Sequence, residues 1–309
     1  MREKILVIGA SLMDTKGQPT AGLDTGTSNP AAIRTTMGGT ARNVAENLAR
    51  MGAVVQLMSA VGDDFAGSEI ISKTSAAGVE CGHVQVVEGQ NTGTYIAVID
   101  HTGQLSVALD DTRVMASLTP DYLEAHRDLF AEAAWVVLDG GITGATLQTA
   151  VNIANEVNVP LCADPSSTRL ASRLCPYIHR LSLIVPNELE AAAICDVQYG
   201  GYDPESSLSV ARQLVQMGVE TAVVSLSDFG LVYATGEESG YLPARFTEII
   251  DTTGTGDAIT AAILFGMINE FPTLESMRLG ASAAGITLQT PDSVYSDISL
   301  DLLYEHLIV

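Results

Sequence analysis

Lysine is almost missing. Lys4, Lys16 and Lys73 are the only three in 309 residues, and 15 basic side chains stand against 37 acidic ones, a formal net charge of −22. A surface of that sign repels phosphate backbones and anionic lipid, which excludes nucleic acid and membrane as expected partners. The scarcity also removes the usual lysine phosphate holder: no glycine is followed by lysine, so no G-x-x-x-x-G-K-[ST] loop exists. A dinucleotide fingerprint is lacking too, because only Gly9 stands where three glycines are needed. Paired cysteines are absent. Cys81, Cys162, Cys175 and Cys195 form no C-x-x-C pair, which reads as free thiols in a reducing compartment. The opening apolar run, Ile5–Met13, is nine residues long, against about 20 for a membrane helix. It has no small-residue cleavage site, so it reads as a first strand and predicts a cytoplasmic protein. The five histidines, His83, His101, His126, His179 and His306, fall at no metal-ligand spacing.

What is present is alternation. Short apolar runs at 5–9, 53–61, 134–140, 159–164, 181–187 and 221–226 predict buried parallel strands. Helical patterns lie between them. Segment 40–51 puts Ala41, Val44, Ala45, Leu48 and Ala49 on one face. Segment 203–218 opens with Asp203 and Pro204 and stops at Gly218. Segments 254–269 and 273–289 are nearly all small or apolar, predicting deep packing. The pattern predicts one α/β domain over 1–309, a parallel sheet covered on both faces by helices. Two stretches break the rhythm. Residues 14–37 are turn-rich and polar, and 83–113 read as extended, with glycine-containing turns at 89–93 and 102–103. Together they predict a small antiparallel sheet projecting as a lid.

Ligands of open parallel sheets bind beyond the carboxyl ends of the strands. Asp14, Asp164, Asn187 and Asp257 all follow strand-like runs. Asp257 closes the stretch "DTTGTGD" (251–257) and opens an apolar helix. Gly254 and Gly256 let peptide N–H groups converge at a helix end that carries partial positive charge, a lysine-free anion hole. A carboxylate beside such a hole suits a base that takes an alcohol's proton; it equally suits a helix cap. "PNELE" (186–190) sets Asn187 and Glu190 three apart. That pair fits a hydrated magnesium shared with phosphate, or a capping box, and both can hold at once. Gly38 and Gly39 precede a helix bearing Asn43, a spacing that allows close approach of a polyol, or a solvated asparagine.

These residues resemble the PfkB carbohydrate kinases. Gly38, Gly39, Asn43, Ala45, Gly52 and Gly62 fall at the spacing of the first family signature, "DTTGTGDAITAA" matches the second, and "PNELE" resembles the family's N-x-x-E motif. The resemblance covers essentially the whole chain. It implies a ribokinase-like fold and ATP-dependent phosphoryl transfer to a sugar hydroxymethyl. By position it makes Asp257 the catalytic base and Gly254, Thr255 and Gly256 the anion hole. It makes Asp14, Gly39 and Asn43 ligands of sugar hydroxyls, and Asn187 and Glu190 the magnesium and phosphate pair. ATP lies along the 225–230 loop with Ser225, Ser227 and Gly230. Asp251 and Thr253 fall where some members bind potassium. Some lids of this kind pair into homodimers. "TSNPAAI" (27–33), "GGTARNVAENLA" (38–49), "HTGQLSVALDD" (101–111) and "YLEAHRDLF" (122–130) resemble the bacterial pseudouridine kinases within the family. That subgroup implies the 5′-hydroxyl of pseudouridine as acceptor. Another sugar or nucleoside acceptor, and a non-catalytic binding module on the same scaffold, are the alternatives. Ser227 departs from the family, which usually carries a glycine nearby; its Cβ is harmless only if φ there is negative.

Overall fold

The computed structural model describes residues 4–100, 105–244 and 248–307. Thirteen strands form among them: β1 (Lys4–Ile8), β2 (Leu12–Pro19), β3 (Ala31–Gly38), β4 (Val54–Gly62), β5 (Glu80–Val87), β6 (Thr94–Ile99), β7 (Leu105–Asp111), β8 (Ala133–Asp139), β9 (Leu161–Asp164), β10 (Leu183–Ile184), β11 (Thr221–Ser225), β12 (Gly230–Thr235) and β13 (Ser239–Pro243). Nine build one sheet in the order β13-β12-β11-β10-β9-β8-β1-β4-β5. Every pairing from β11 to β5 is parallel, and β12 and β13 extend it antiparallel.

Alternate residues of a strand face opposite ways, and β1 shows the result. Leu6 and Ile8 join a core with Phe130 and Leu147, while Ile5 and Val7 join a second core with Leu48, Ile263 and Leu279. Both faces are therefore covered by helices, and each buried side chain of this size contributes roughly 1.5–3 kcal/mol. The helices Thr40–Arg50, Pro204–Gln216, Thr255–Ile268 and Thr273–Thr287 form within two residues of the expected ends. The Thr255–Ile268 helix lies between the Thr40–Arg50 and Thr273–Thr287 helices. That placement explains its all-round apolar composition. No helix among the described residues is long and apolar enough to cross a membrane.

The second sheet has four strands in the order β3-β2-β6-β7. Its outer pairings are antiparallel and the central one, β2 with β6, is parallel. Two local expectations, at 83–87 and 181–187, need correction. Residues 83–87 are extended but belong to β5, which pairs in parallel with β4 at the edge of the large sheet, so the lid begins later than residue 83. A strand's own pattern does not say which neighbour it will meet. The polar, turn-rich stretch 14–37 joins the small sheet as expected, as most of an antiparallel pair, β2 with β3. Residues 31–35 of β3 are all exposed, so no alternation of apolar and polar residues marks them. The run 181–187 yields only Leu183–Ile184, because Pro186 offers no N–H for a ladder and the chain then turns into a helix cap. The turn expected at 102–103 lies outside the described residues.

Candidate active site

Asp257 sits on the third residue of the Thr255–Ile268 helix. The turn before it requires glycine. Gly254 has φ 80°, and a Cβ there would stand 1.9 Å from the Ser293 carbonyl oxygen. No side chain caps this helix, and its first residues Thr255, Gly256 and Asp257 line the adjoining cavity, so amides of the first turn that lack an intrahelical acceptor lie beside it. Thr255 Oγ1, on the cavity wall, is buried with no hydrogen-bond partner. The Asp257 carboxylate does not cap its own helix. It accepts a 2.6 Å hydrogen bond from Asn43 Nδ2. Burial raises its pKa from 3.8 to about 7; the Asn43 hydrogen bond opposes this, Asp139 and Asp14 add to it, and Arg42 opposes it. A carboxyl group poised there can accept a proton near neutral pH.

Asn43 is not a solvated residue. It is buried, and so are its polar helix neighbours Arg42, Glu46 and Asn47. Arg42 donates to Asn43 Oδ1 and to Glu46 Oε2. It also donates to the carbonyls of Gly38 and Met37, each at 3.0 Å. Glu46 in turn accepts from Arg50 at 2.9 and 2.7 Å. The chain Glu46–Arg42–Asn43 therefore fixes which way the Asn43 amide points, and its N–H₂ is aimed at Asp257. Gly39 starts this helix at φ 94°, where a Cβ would meet the Ala10 carbonyl oxygen at 2.4 Å.

Asp14 lies on β2 and is buried. Burial raises its pKa to about 6; Arg42 and Lys16 oppose, and Asp251 adds. Two further acids complete the cluster. Asp139, at the end of β8, accepts from the amides of Ala10 at 2.8 Å and Gly141 at 2.6 Å. Asp164, at the end of β9, accepts from Thr260 Oγ1 at 3.1 Å and from Ser166 N at 2.9 Å. Burial, then repulsion from Asp257 and Glu190, raises its pKa well above the ordinary carboxylate value.

Asn187 and Glu190 form a reciprocal capping box: Glu190 N donates to Asn187 Oδ1 at 3.0 Å and Asn187 N donates to Glu190 Oε2 at 2.9 Å. Burial raises the Glu190 pKa against these bonds. Both residues line a cavity of about 430 Å³ together with Asp164, Glu188, Ser225, Ser227, Thr255, Gly256 and Asp257. Among the described residues, its wall carries four acids and no lysine, arginine or histidine. Ser227 has φ 55°, so the condition under which its Cβ would be harmless is not met. Ser166, also on this wall, has φ 66°. Two serines held in left-handed backbone at one cavity are local strain of the kind found at ligand sites. Gly230 begins β12, and it is not among the residues of this wall.

Asp251 and Thr253 lie in the loop before Gly254, and both bind Lys16 of β2. Lys16 Nζ donates to Asp251 Oδ1 at 2.7 Å and Oδ2 at 2.5 Å, and to Thr253 Oγ1. A second cleft, about 670 Å³, opens between the small sheet and this loop, lined by Lys16, Ile33, Arg34, Tyr95, Ile250 and Pro291 among others. Arg34 of β3 pairs with Asp292 at 2.8 Å across the site.

The structure thus gathers Asp257, Asn187, Glu190, Ser225 and Ser227 on the wall of the smaller cleft, and joins Asn43 to Asp257 by a hydrogen bond and Asp14 to it by charge repulsion, without either lining the two clefts. Lys16, Arg42, Glu46 and Asp139 were not expected there. Lys16 had a legible signal, since it stands two residues from Asp14 on the same strand face. The profile of the pfkB family carbohydrate kinases matches residues 2–299. The chain belongs to this family. Among its pfkB relatives, the pseudouridine kinase of Escherichia coli (strain K12) is 31% identical over 303 residues, which span 97% of this chain and 96% of that protein. The guanosine-inosine kinase of Exiguobacterium acetylicum is 26% identical, spanning 97% of this chain and 99% of that one. The Arabidopsis thaliana ribokinase, solved with ribose and ATP, shares the fold at a TM-score of 0.84 and 20% identity over 100% of both chains. As a pfkB kinase the chain is a phosphotransferase acting on a sugar or nucleoside hydroxyl, and its fold is ribokinase-like.

Proposed function

We propose that this kinase transfers the γ-phosphoryl group of ATP to the 5′-hydroxyl of a ribonucleoside, with pseudouridine as the preferred acceptor. The observation that carries the transfer is Asp257: a near-neutral carboxyl held by Asn43 beside the uncapped helix end at Gly254. Asp257 takes the proton of the attacking hydroxyl. The amides that follow Gly254, with the unpartnered Thr255 hydroxyl, hold the transferring phosphoryl oxygens. Position and electrostatics supply most of such a rate enhancement. In this reading the acceptor enters through the larger cleft and its hydroxyls reach past the cleft wall to Asp14 and Asn43, with Gly39 allowing close approach. The nucleotide lies along Ser225 and Ser227. Gly230 stands behind that loop, where the chain re-enters the sheet.

Magnesium fits the donor set. A nucleotide-sized cavity walled by Asp164, Glu188, Glu190 and Asp257, with no basic side chain among the described residues that line it, repels bare polyphosphate. Among the described residues no cluster of three or more His, Cys, Asp or Glu could enclose a metal. A hydrated ion shared between phosphate and one or two carboxylates suits both facts. Glu190, oriented by Asn187, and Asp164 would hold it, and it would neutralise phosphate charge.

Two features support a nucleoside over a bare pentose. The cleft of about 670 Å³ is well above the size of a pentose. Tyr95 lines it, directly beside Asp14 in the strand register, and offers a ring face for a base. The identity to the E. coli pseudouridine kinase supports pseudouridine in particular. A homodimer through the lid is part of the proposal, supported by the exposed apolar side chains Ile33, Val107 and Leu109, and its mass in light scattering tests it. A panel of pseudouridine, uridine, guanosine, inosine and ribose in a coupled ADP assay tests the acceptor. Pseudouridine should give the highest kcat/KM; a clear preference for another acceptor refutes that part of the reading.

A further inference from the structure

We propose that the ammonium group of Lys16 is a built-in monovalent cation, filling the position beside the anion turn that the family resemblance assigns to potassium. The resemblance gives the ion oxygen atoms of Asp251 and Thr253. Both are already engaged by Lys16 Nζ, through Asp251 Oδ1 at 2.7 Å, Asp251 Oδ2 at 2.5 Å and Thr253 Oγ1. A lysine ammonium has three N–H donors and no acceptor, and here three side-chain oxygens meet it. Ammonium and potassium carry the same charge at similar size. The residues therefore do not fit a potassium ion as they stand: its ligands are taken, and it would lie against a like charge.

The surroundings make the pair a fixed feature rather than a passing surface contact. The Lys16 and Asp251 side chains are only 19% and 20% exposed. Asp251 Oδ1 also accepts from Thr253 N at 2.8 Å, so the carboxylate shapes the very loop that leads into Gly254. A cation held on Asp251 thus holds the approach to the anion hole, which is what a bound ion would do there. Lys16 comes from β2, the strand that carries Asp14. The cation is therefore supplied by the small sheet, and the contact ties the acceptor side of the site to the phosphate side across 235 residues of sequence. In a chain with three lysines, one of them is spent on this position.

The rate part of the test rests on the kinase reading; the stability part needs no substrate and separates the two. Melting temperature and, with the best acceptor of the panel, ADP formation are compared in KCl and in choline chloride at equal ionic strength. The wild-type protein should show no potassium-specific gain in either. The Lys16→Met variant should lose about tenfold or more in turnover in choline chloride. It should recover in KCl or NH4Cl, with a rise in melting temperature that choline does not give. Crystals soaked in thallium(I) should show an anomalous peak at Asp251 in the variant and none in the wild type. Potassium activation, potassium stabilisation or a thallium peak at Asp251 in the wild type overturns the proposal. So does a folded variant indifferent to potassium. If the variant does not fold, the wild-type measurements decide alone. If no acceptor on the panel is phosphorylated, the melting and thallium measurements still decide.

Discussion

Replacing Asp257 by Asn should make this enzyme nearly inactive and, above neutral pH, more stable. The two effects share one cause. The buried carboxyl titrates near 7 in the folded protein against an ordinary value of 3.8. Its folded pKa is raised, so the folded state binds more protons than the unfolded state between those values. Stability contributed by this group is therefore greatest below 3.8 and is lost as pH rises toward 7. Each pH unit in that window costs about 1.36 kcal/mol. The whole penalty is thus about 4 kcal/mol as an upper limit, of which roughly 1.6 is already present at pH 5. The carboxyl opens onto a cavity, and solvent there reduces the cost; about half is a reasonable remainder. Asparagine carries no such titration and can still accept from Asn43. The stability advantage of Asp257→Asn should therefore grow by about 1–1.5 kcal/mol between pH 5 and pH 8. In a chain of this length that is about 2 °C or more in melting temperature. Urea unfolding at the two pH values measures it. Turnover at pH 8 should fall about 10²–10⁴-fold with the nucleoside and ATP still bound. In the wild type, kcat/KM should drop tenfold per pH unit below about 7 as the base protonates. A variant with near-normal turnover, or with a stability difference that ignores pH, refutes the assignment.

Gly256→Ala should separate stability from catalysis in a similar way. A Cβ at this position has no neighbour within 4 Å and points into open space by the cavity wall. The fold should gain about 0.8–1 kcal/mol from helix propensity, while a methyl group in the phosphate cradle should cut kcat by about tenfold or more; unchanged kinetics would remove the cradle from this spot. Glu190→Gln keeps an acceptor for the Asn187 amide but loses the charge. The magnesium concentration for half-maximal rate should rise about tenfold or more, and an unaltered magnesium titration would argue against the site.

The local structure of 251–257 was legible because a glycine turn, a helix start and a carboxylate follow one another in sequence. The helix ends at Thr40, Pro204 and Thr255 were legible for the same reason. What sequence could not reveal was pairing over distance. Asn43 meets Asp257 across 214 residues, so its hydrogen bond to the base could not be read from its helix. Arg42 and Glu46 lie off the apolar stripe of their helix, and nothing in that stripe reveals that both are buried, with Arg42 meeting Glu46 and the Gly38 and Met37 carbonyls. Residues 83–87 show the same limit for strands. Their extended pattern is real, but β4, not the lid, is the neighbour. Ser227 could be flagged as unusual from sequence alone, whereas its φ of 55° could only come from the fold.

The acid-lined wall of the smaller cleft has a consequence for supply. A nucleotide stripped of its metal brings only negative charge to a surface that already has an excess of it. Such a nucleotide is a weak competitor for the cleft. With the nucleotide in this cleft, as proposed, the enzyme should follow the concentration of the metal–nucleotide complex rather than total ATP, and a fall in free magnesium should slow it even when ATP is plentiful.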